Sequence, residues 1–216
     1  GPDEPLSLGI VDQFKRTGLR IFGPTKAAAQ IESSKAFAKK LMHEAKIPTA
    51  AYEVFTDAAQ ARSYVELAPL PVVIKASGLA SGKGVVIADT REAARAAVDD
   101  IMVKRIFGDA GATLVVEQFL QGDEISVHVM TDGVNYAMFP SSQDHKRIGE
   151  GDTGKNTGGM GVIAPVPWLD SDMMLRIEKT IIQPLIRALG DRGITFQGVL
   201  FPGIMITPQG PYVIEL

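Results

Sequence analysis

The sequence predicts a mixed α and β chain, α+β in class, whose strands come mostly as antiparallel hairpins. Three pairs of apolar runs carry this reading: Pro71–Lys75 with Gly84–Ala88, Glu124–Met130 with Val134–Phe139, and Gln197–Ile206 with Tyr212–Leu216. Each pair flanks a short segment containing the glycine, proline or aspartate that lets a chain reverse. The helical segments do not alternate regularly with these runs, so a doubly wound parallel sheet does not describe most of the chain. With 216 residues, 45% hydrophobic and 22% charged, the chain can bury one large core or two small ones.

Taken in order, Leu6, Leu8, Ile10, Val11, Phe14 and Leu19 give a helix over 6–19, and Leu19–Phe22 is a short apolar run before the Gly23-Pro24-Thr25 break. Thr25–Lys46 is helical, with Ile31, Ala38, Leu41, Met42 and Ala45 on one face. The Ser33-Ser34 pair caps a second helix inside it, and Pro48 ends the element. Tyr52–Phe55 reads as a strand, and Thr56 as the N-cap of a helix to Leu67. Asp89-Thr-Arg-Glu92 has the D-x-x-E form of a capping box and opens a helix to Val103. Thr113–Leu120 is a strand, Asp132-Gly133 turns the next hairpin, and 141–161 is a polar stretch without regular structure. Asp170–Leu189 is an amphipathic helix, kinked at Pro184 and stopped by Gly190.

The bulk numbers exclude several classes. A net charge of −3 and a pI near 5.7 argue against a nucleic-acid binder, which is usually basic. The chain has no cysteine, so it holds no disulfide or thiolate metal site, and a cytoplasmic setting is the expectation. No apolar run approaches the roughly 20 residues that span a bilayer, and no secretory signal is visible at the start. The chain stops within Tyr212-Val-Ile-Glu-Leu216, a run that reads as a strand with no turn after it, which leads to the expectation of a fragment of a longer protein.

Four features carry chemistry. Between the first two strands lies Ala76-Ser-Gly-Leu-Ala-Ser-Gly-Lys83. A Walker A loop would need four residues between Gly78 and the Gly82-Lys83 pair and a helix after it, and neither condition is met. The dinucleotide G-x-G-x-x-G reading fails because a strand follows. Two readings stay open: a flexible turn, or a glycine flap whose unobstructed N–H groups cover phosphates, with Lys75 as a fixed positive charge. Val115-Val-Glu-Gln-Phe-Leu-Gln-Gly-Asp-Glu124 could present its backbone to an adenine edge and Glu124 to ribose hydroxyls; taken in isolation, an ordinary strand–turn–strand with solvated acids is the favoured reading.

The stretch Ser141–Gly161 is too long for a plain connection. It sets Asp144, His145, Lys146 and Arg147 near Gly158-Gly159-Met160-Gly161, and cations beside freely approachable N–H groups suit an anionic substrate. Finally, Glu215 stands in an apolar strand, where a carboxylate is costly unless it is paired or binds a cation. A magnesium ligand and a position on an exposed edge are both compatible with it.

Together these segments resemble the ATP-grasp ligases, and more narrowly the phosphoribosylamine–glycine ligase (glycinamide ribonucleotide synthetase) family. The resemblance runs over essentially the whole chain: Gly1-Pro-Asp-Glu-Pro-Leu, Ile21-Phe-Gly-Pro-Thr, Ser34-Lys-Ala-Phe, Lys46-Ile-Pro-Thr, the Lys75–Val85 loop, Phe107-Gly-Asp-Ala-Gly, Ser142-Gln-Asp-His-Lys-Arg and Thr153-Gly-Lys-Asn-Thr-Gly-Gly-Met-Gly. Lys155 stands where the family commonly has proline. The resemblance implies an ATP-grasp fold, two α+β lobes clasping ATP, preceded by the tail of a Rossmann-like domain. The implied divisions are 1–30, the end of that first domain; 31–118, the first lobe; and 119–216, the second.

It further implies a ligase of de novo purine synthesis that uses ATP with magnesium or manganese and takes glycine and 5-phosphoribosylamine, as a cytoplasmic monomer or at most a weak dimer, without nucleic acid or membrane partners. Glycyl phosphate is the implied intermediate. By the same resemblance Lys35 and Lys75 contact nucleotide phosphates, Gly78, Ser81, Gly82 and Lys83 form the flap, Glu117, Gln118, Phe119 and Leu120 frame adenine, and Glu124 meets the ribose. Asp144, His145, Lys146, Asn156, Thr157, Gly158, Gly159 and Met160 line the substrate pocket, Lys75, Asp144 and His145 serve catalysis, and Glu215 holds the metal. The family continues past this glutamate to an asparagine that completes the metal site, so the expectation is that the 216-residue chain alone is a poor catalyst. Two other readings stand beside this one: an ATP-grasp ligase or carboxylase with another acceptor, and a nucleotide-binding fragment without activity.

Overall fold

The computed structural model describes residues 3–80, 83–151 and 153–216, without the side chains of Lys155 and Asn156. Helices α1 (Asp3–Leu8) and α2 (Ile10–Arg16) replace the single helix expected over 6–19, because Gly9 adopts φ 92° and breaks the ladder between them. Helices α3 (Lys26–Ser33) and α4 (Lys35–Glu44) follow with Thr25 and Ser34 as N-caps, their side chains accepting from Ala28 N and Phe37 N. Strand β1 (Tyr52–Phe55) leads to α5 (Ala58–Leu67), whose cap is Asp57 rather than Thr56.

Strands β2 (Val72–Ala76) and β3 (Val85–Ala88) flank the glycine loop. Thr90, not Asp89, caps α6 (Arg91–Val98), which runs on as a π-helical turn, Asp99–Val103. Strand β4 (Leu114–Gln118) completes a four-stranded antiparallel sheet of order β1-β4-β2-β3. Its first core forms where Val72, Ile74, Leu114 and Val116 meet Ala61, Val65, Ala94, Val98 and Ile101 from the helices. Strand alternation sends Val73 and Lys75 to the opposite face. Glu117 pairs directly with Val73, which sets it diagonally beside Lys75 on that face.

The expected strand over 124–130 is two strands in different sheets. β5 (Asp123–Ser126) pairs with a later strand, while β6 (Val129–Thr131) pairs with β7 (Tyr136–Met138). The chain changes sheets at Val127, whose N–H reaches Pro202 O at 3.2 Å. The stretch 141–161 is not irregular: β8 (Gln143–Asp144), β9 (Arg147–Gly149) and β10 (Thr153–Asn156) lie in it, and β8 pairs with β11 (Val162–Ile163), β9 with β10. α7 (Ser171–Ile177) and α8 (Gln183–Asp191) are joined by a π-helical turn, Glu178–Ile182, directly before Pro184. Gly190 lies inside α8, and the reversal falls at Gly193, φ 70°.

Pro202 divides the run 197–206 into β12 (Gly198–Leu200), beside β6, and β13 (Gly203–Thr207), which lies between β5 and β14 (Gly210–Glu215). The second core gathers Ile125, Ile177, Ile181, Leu185, Ile204 and Val213 with Leu41 and Met42 of α4. Helix α4, grouped with the first lobe in the sequence division, therefore packs into this second core, as does α3, which that division cuts at residue 30. No helix among the described residues is long and apolar enough to cross a membrane.

Candidate active site

The polar face of β2 and β4 looks across a cleft at β5, β13 and β14. The cleft holds about 850 Å³, within the range of small-molecule sites. Val73, Val85 and Ile87 form one wall, and Met205 and Ile214 the other. Gln118, Phe119 and Leu120, which leave β4 and cross between the two sheets, close one end. An apolar slot ending in a run of backbone is suited to a flat ring whose edge carries donors and acceptors.

Charge is concentrated at the base. Glu117 Oε2 lies 3.1 Å from Lys75 Nζ and 3.0 Å from Lys39 Nζ, and all three side chains are buried. Lys75 also donates to Ile214 O at 2.7 Å, and Lys39 to Thr49 Oγ1 at 2.7 Å. Burial lowers the Lys39 pKa to about 8, with Lys75 pushing the same way and Glu117 opposing. Glu117 Oε1 is buried without a partner among the described residues, as is Asp144 Oδ1, and both residues line the cleft. An unpartnered buried acceptor is costly unless a ligand donates to it.

Lys35 lies in an adjoining recess of about 240 Å³ that shares Glu117 and Glu215 with the cleft. Its N–H donates to Ser77 O at 2.8 Å and its Nζ reaches Gly78 O at 3.4 Å, so the start of α4 is tied to the start of the glycine loop. Burial, then the nearby Lys75, lowers its pKa. In the same recess burial raises Glu32 to about 7, with Asp3 adding to the rise.

At the mouth, Lys146 Nζ is 2.6 Å from Glu124 Oε1 and 4.0 Å from Glu215 Oε1. Among the described residues no three ligating side chains cluster. One carboxylate, Glu215, fits an ion such as magnesium that takes its other ligands from phosphate oxygens and water.

The cleft thus brings together Lys75, Lys83, Glu117, Gln118, Phe119, Leu120, Glu124, Asp144, Lys146, Thr157, Gly158 and Glu215. His145 is exposed and does not line it, because it alternates with Asp144 and Lys146, which do. Met160 is 59% exposed and also outside the lining. Gly159 stands behind Asp144: a Cβ there would come within 2.9 Å of Asp144 Oδ1. Gly78 packs on Ala110, with its N–H 3.0 Å from Ala110 O. Ser81, Gly82 and the Asn156 side chain lie outside the described residues. Lys39 is the residue that sequence reasoning missed. The signal for it was its spacing four after Lys35 on one helix, which puts both on the same face.

Comparison with known proteins bears on the family and the fold. A family model for the ATP-grasp domain of phosphoribosylglycinamide synthetase matches residues 33–216, and one for that enzyme's N domain matches residues 1–32. A curated phosphoribosylamine–glycine ligase of Chlorobaculum tepidum is 50% identical over 216 residues, all of this chain and 51% of the relative. The chain spans about half the length of the curated relatives it matches. Among solved structures, a phosphoribosylamine–glycine ligase from Thermotoga maritima superposes with TM-score 0.80 at 35% identity, covering 90% of this chain and 49% of that one. A biotin carboxylase from Campylobacter jejuni superposes with TM-score 0.75 at 19% identity over 95% of this chain and 44% of its own, a likeness of fold. The fold is ATP-grasp.

Proposed function

This chain belongs to the phosphoribosylglycinamide synthetase family, and on that premise we propose that its cleft binds ATP for a ligase that joins glycine to 5-phosphoribosylamine. The observation that carries the reading is the cleft itself: an apolar slot closed by Gln118–Leu120, with Lys75 at its base and Lys35 in the recess beside it. Adenine enters the slot and takes its edge contacts from the linker backbone. The Lys75 and Lys35 ammoniums face the phosphates, Lys83 and the glycine loop cover them, and Glu124 accepts from the ribose. Glu215 holds magnesium or manganese, which neutralises phosphate charge. Asp144, Lys146, Thr157 and Gly158 line the end where the acceptor binds.

In the reaction, a glycine carboxylate oxygen attacks the γ-phosphorus and ADP leaves, giving glycyl phosphate. The amine nitrogen of 5-phosphoribosylamine then attacks the glycyl carbonyl carbon, phosphate leaves, and the nitrogen gives up a proton. This chemistry needs positioning and charge neutralisation more than a protein nucleophile, which suits a site built of lysines and backbone. In this reading His145, which is exposed beside the cleft, takes no direct part in either step. A cytoplasmic location and a monomeric state complete the proposal.

Two measurements test it. Titration calorimetry on the chain should detect ATP and ADP binding that Lys75→Met weakens. ADP release by the protein carrying this chain should require both glycine and phosphoribosylamine, and bicarbonate should not replace glycine. Release with bicarbonate alone would move the assignment to a carboxylase.

A further inference from the structure

Lys39 and Thr49 extend the charged base of the cleft into a closed circuit. Thr49 Oγ1 donates to Val213 O at 2.7 Å and accepts from Lys39 Nζ at 2.7 Å. Lys39 pairs with Glu117, Glu117 with Lys75, and Lys75 donates to Ile214 O, the residue after Val213. The circuit joins α4, β14, β4 and β2, so it spans both cores. One carboxylate is shared by two ammoniums, and the trio carries a net charge of +1.

We propose that Lys39 is a positioning residue of the nucleotide site: it takes up half of the demand of Glu117, so that the Lys75 ammonium keeps positive charge for the phosphates. The proposal rests on reading the cleft as an ATP site. Without Lys39, Glu117 neutralises Lys75 alone and the base of the cleft falls from +1 to zero. Removing the Glu117 charge as well returns it to +1, now on Lys75 only, and Glu117→Gln alone raises it to +2 wherever Lys39, which then loses the support of Glu117, keeps its proton. Phosphate affinity therefore follows local charge rather than the number of native contacts kept.

The test is the ratio of ATP to adenosine affinity, by calorimetry in buffer acid enough to keep Lys39 protonated, in the unaltered chain and in K39M, E117Q and K39M/E117Q. Adenosine carries no phosphate, so the ratio isolates the charge effect from damage to the slot. K39M should lower the ratio on the order of tenfold, the size of one charge removed at several ångströms in a partly screened site. E117Q should raise it, and the double variant should return it to near the unaltered value. A merely structural role for Lys39 predicts instead equal loss for ATP and adenosine, and a double variant worse than either single one; that result overturns the proposal. If K39M does not fold, E117Q still decides, since an unchanged or lower ratio there is equally fatal. No ATP binding by the unaltered chain would overturn the reading of the cleft and this inference with it. Normal binding by K39M overturns this inference alone.

Discussion

Lys75 on β2 donates its ammonium to the carbonyl of Ile214 on β14 at 2.7 Å, so a single side chain ties the sheet of the first core to that of the second. The same ammonium pairs with Glu117, which keeps Lys39 as a second partner. Lys75→Met therefore leaves the carboxylate paired and should cost about 1–3 kcal/mol, the range for losing hydrogen bonds to a charged group. Glu117→Leu leaves two buried ammoniums facing each other and should cost more, about 3–5 kcal/mol. Urea denaturation of the two variants checks the order; equal costs would mean that the lysines do not depend on Glu117.

Glu32 makes stability depend on pH in a set direction. Burial, reinforced by Asp3, raises its pKa from 4.5 to about 7. The folded chain then holds the proton more tightly than the unfolded chain. Its contribution is fully present below pH 4.5 and is lost as pH rises through about 7. Partial exposure screens the effect, so the loss should be about 2 kcal/mol. Denaturation of Glu32→Gln across this window should show a flatter profile than the unaltered chain, and identical slopes would sink the assignment.

Much of this fold was legible because its strands obey simple rules. Alternation in Val72–Ala76 predicts which side chains meet the helices and which meet the cleft, and β2, β3 and β4 lie within a residue or two of where the apolar runs place them. The breaks were less legible. Gly9 looks like any glycine in a helical period, and the switch of sheets at Val127 depends on Pro202, far along the chain. β8, β9 and β11 are two or three residues long, too short to show any period. In the site, Lys75 and Glu117 stand out as charges in apolar strands. Lys39 does not, because it sits beside Lys40 in a helix; its spacing from Lys35 is a faint signal, and packing is what buries it while its neighbour is 74% exposed at the side chain.

Two glycines near the cleft should respond differently to alanine. A Cβ at Gly122 would collide with the carbonyl of Ile206, which belongs to β13 and cannot yield without parting from β5. Gly122→Ala should therefore destabilise the chain by about 1–3 kcal/mol, as overpacking does, and shift Glu124. A Cβ at Gly158 meets nothing within 4 Å, so Gly158→Ala should leave the melting temperature unchanged while narrowing the mouth of the cleft. Thermal melts of both separate the effects. Equal destabilisation would contradict the geometry at Gly158.

Lys146 offers a case in which charge matters to the site more than to the fold. Burial works against its charge, but the hydrogen bond and attraction from Glu124, with Glu215 and Asp144 behind, outweigh it and raise its pKa above 10.5. A raised lysine contributes stability below the unfolded value and loses it only above the folded one, so the contribution of Lys146 should not fall until pH rises past about 10. Its side chain and that of Glu124 are each 37% exposed, so solvent screens the pair and Lys146→Met should change stability by less than about 1 kcal/mol. Its effect on ligand should be larger, because it removes the only cation paired with Glu124 and Glu215 among the described residues. In the protein carrying this chain, the variant should keep its melting temperature and its affinity for adenosine while losing turnover with glycine and phosphoribosylamine. A variant that keeps full turnover would show that Lys146 only balances charge at the mouth and takes no part in holding the acceptor.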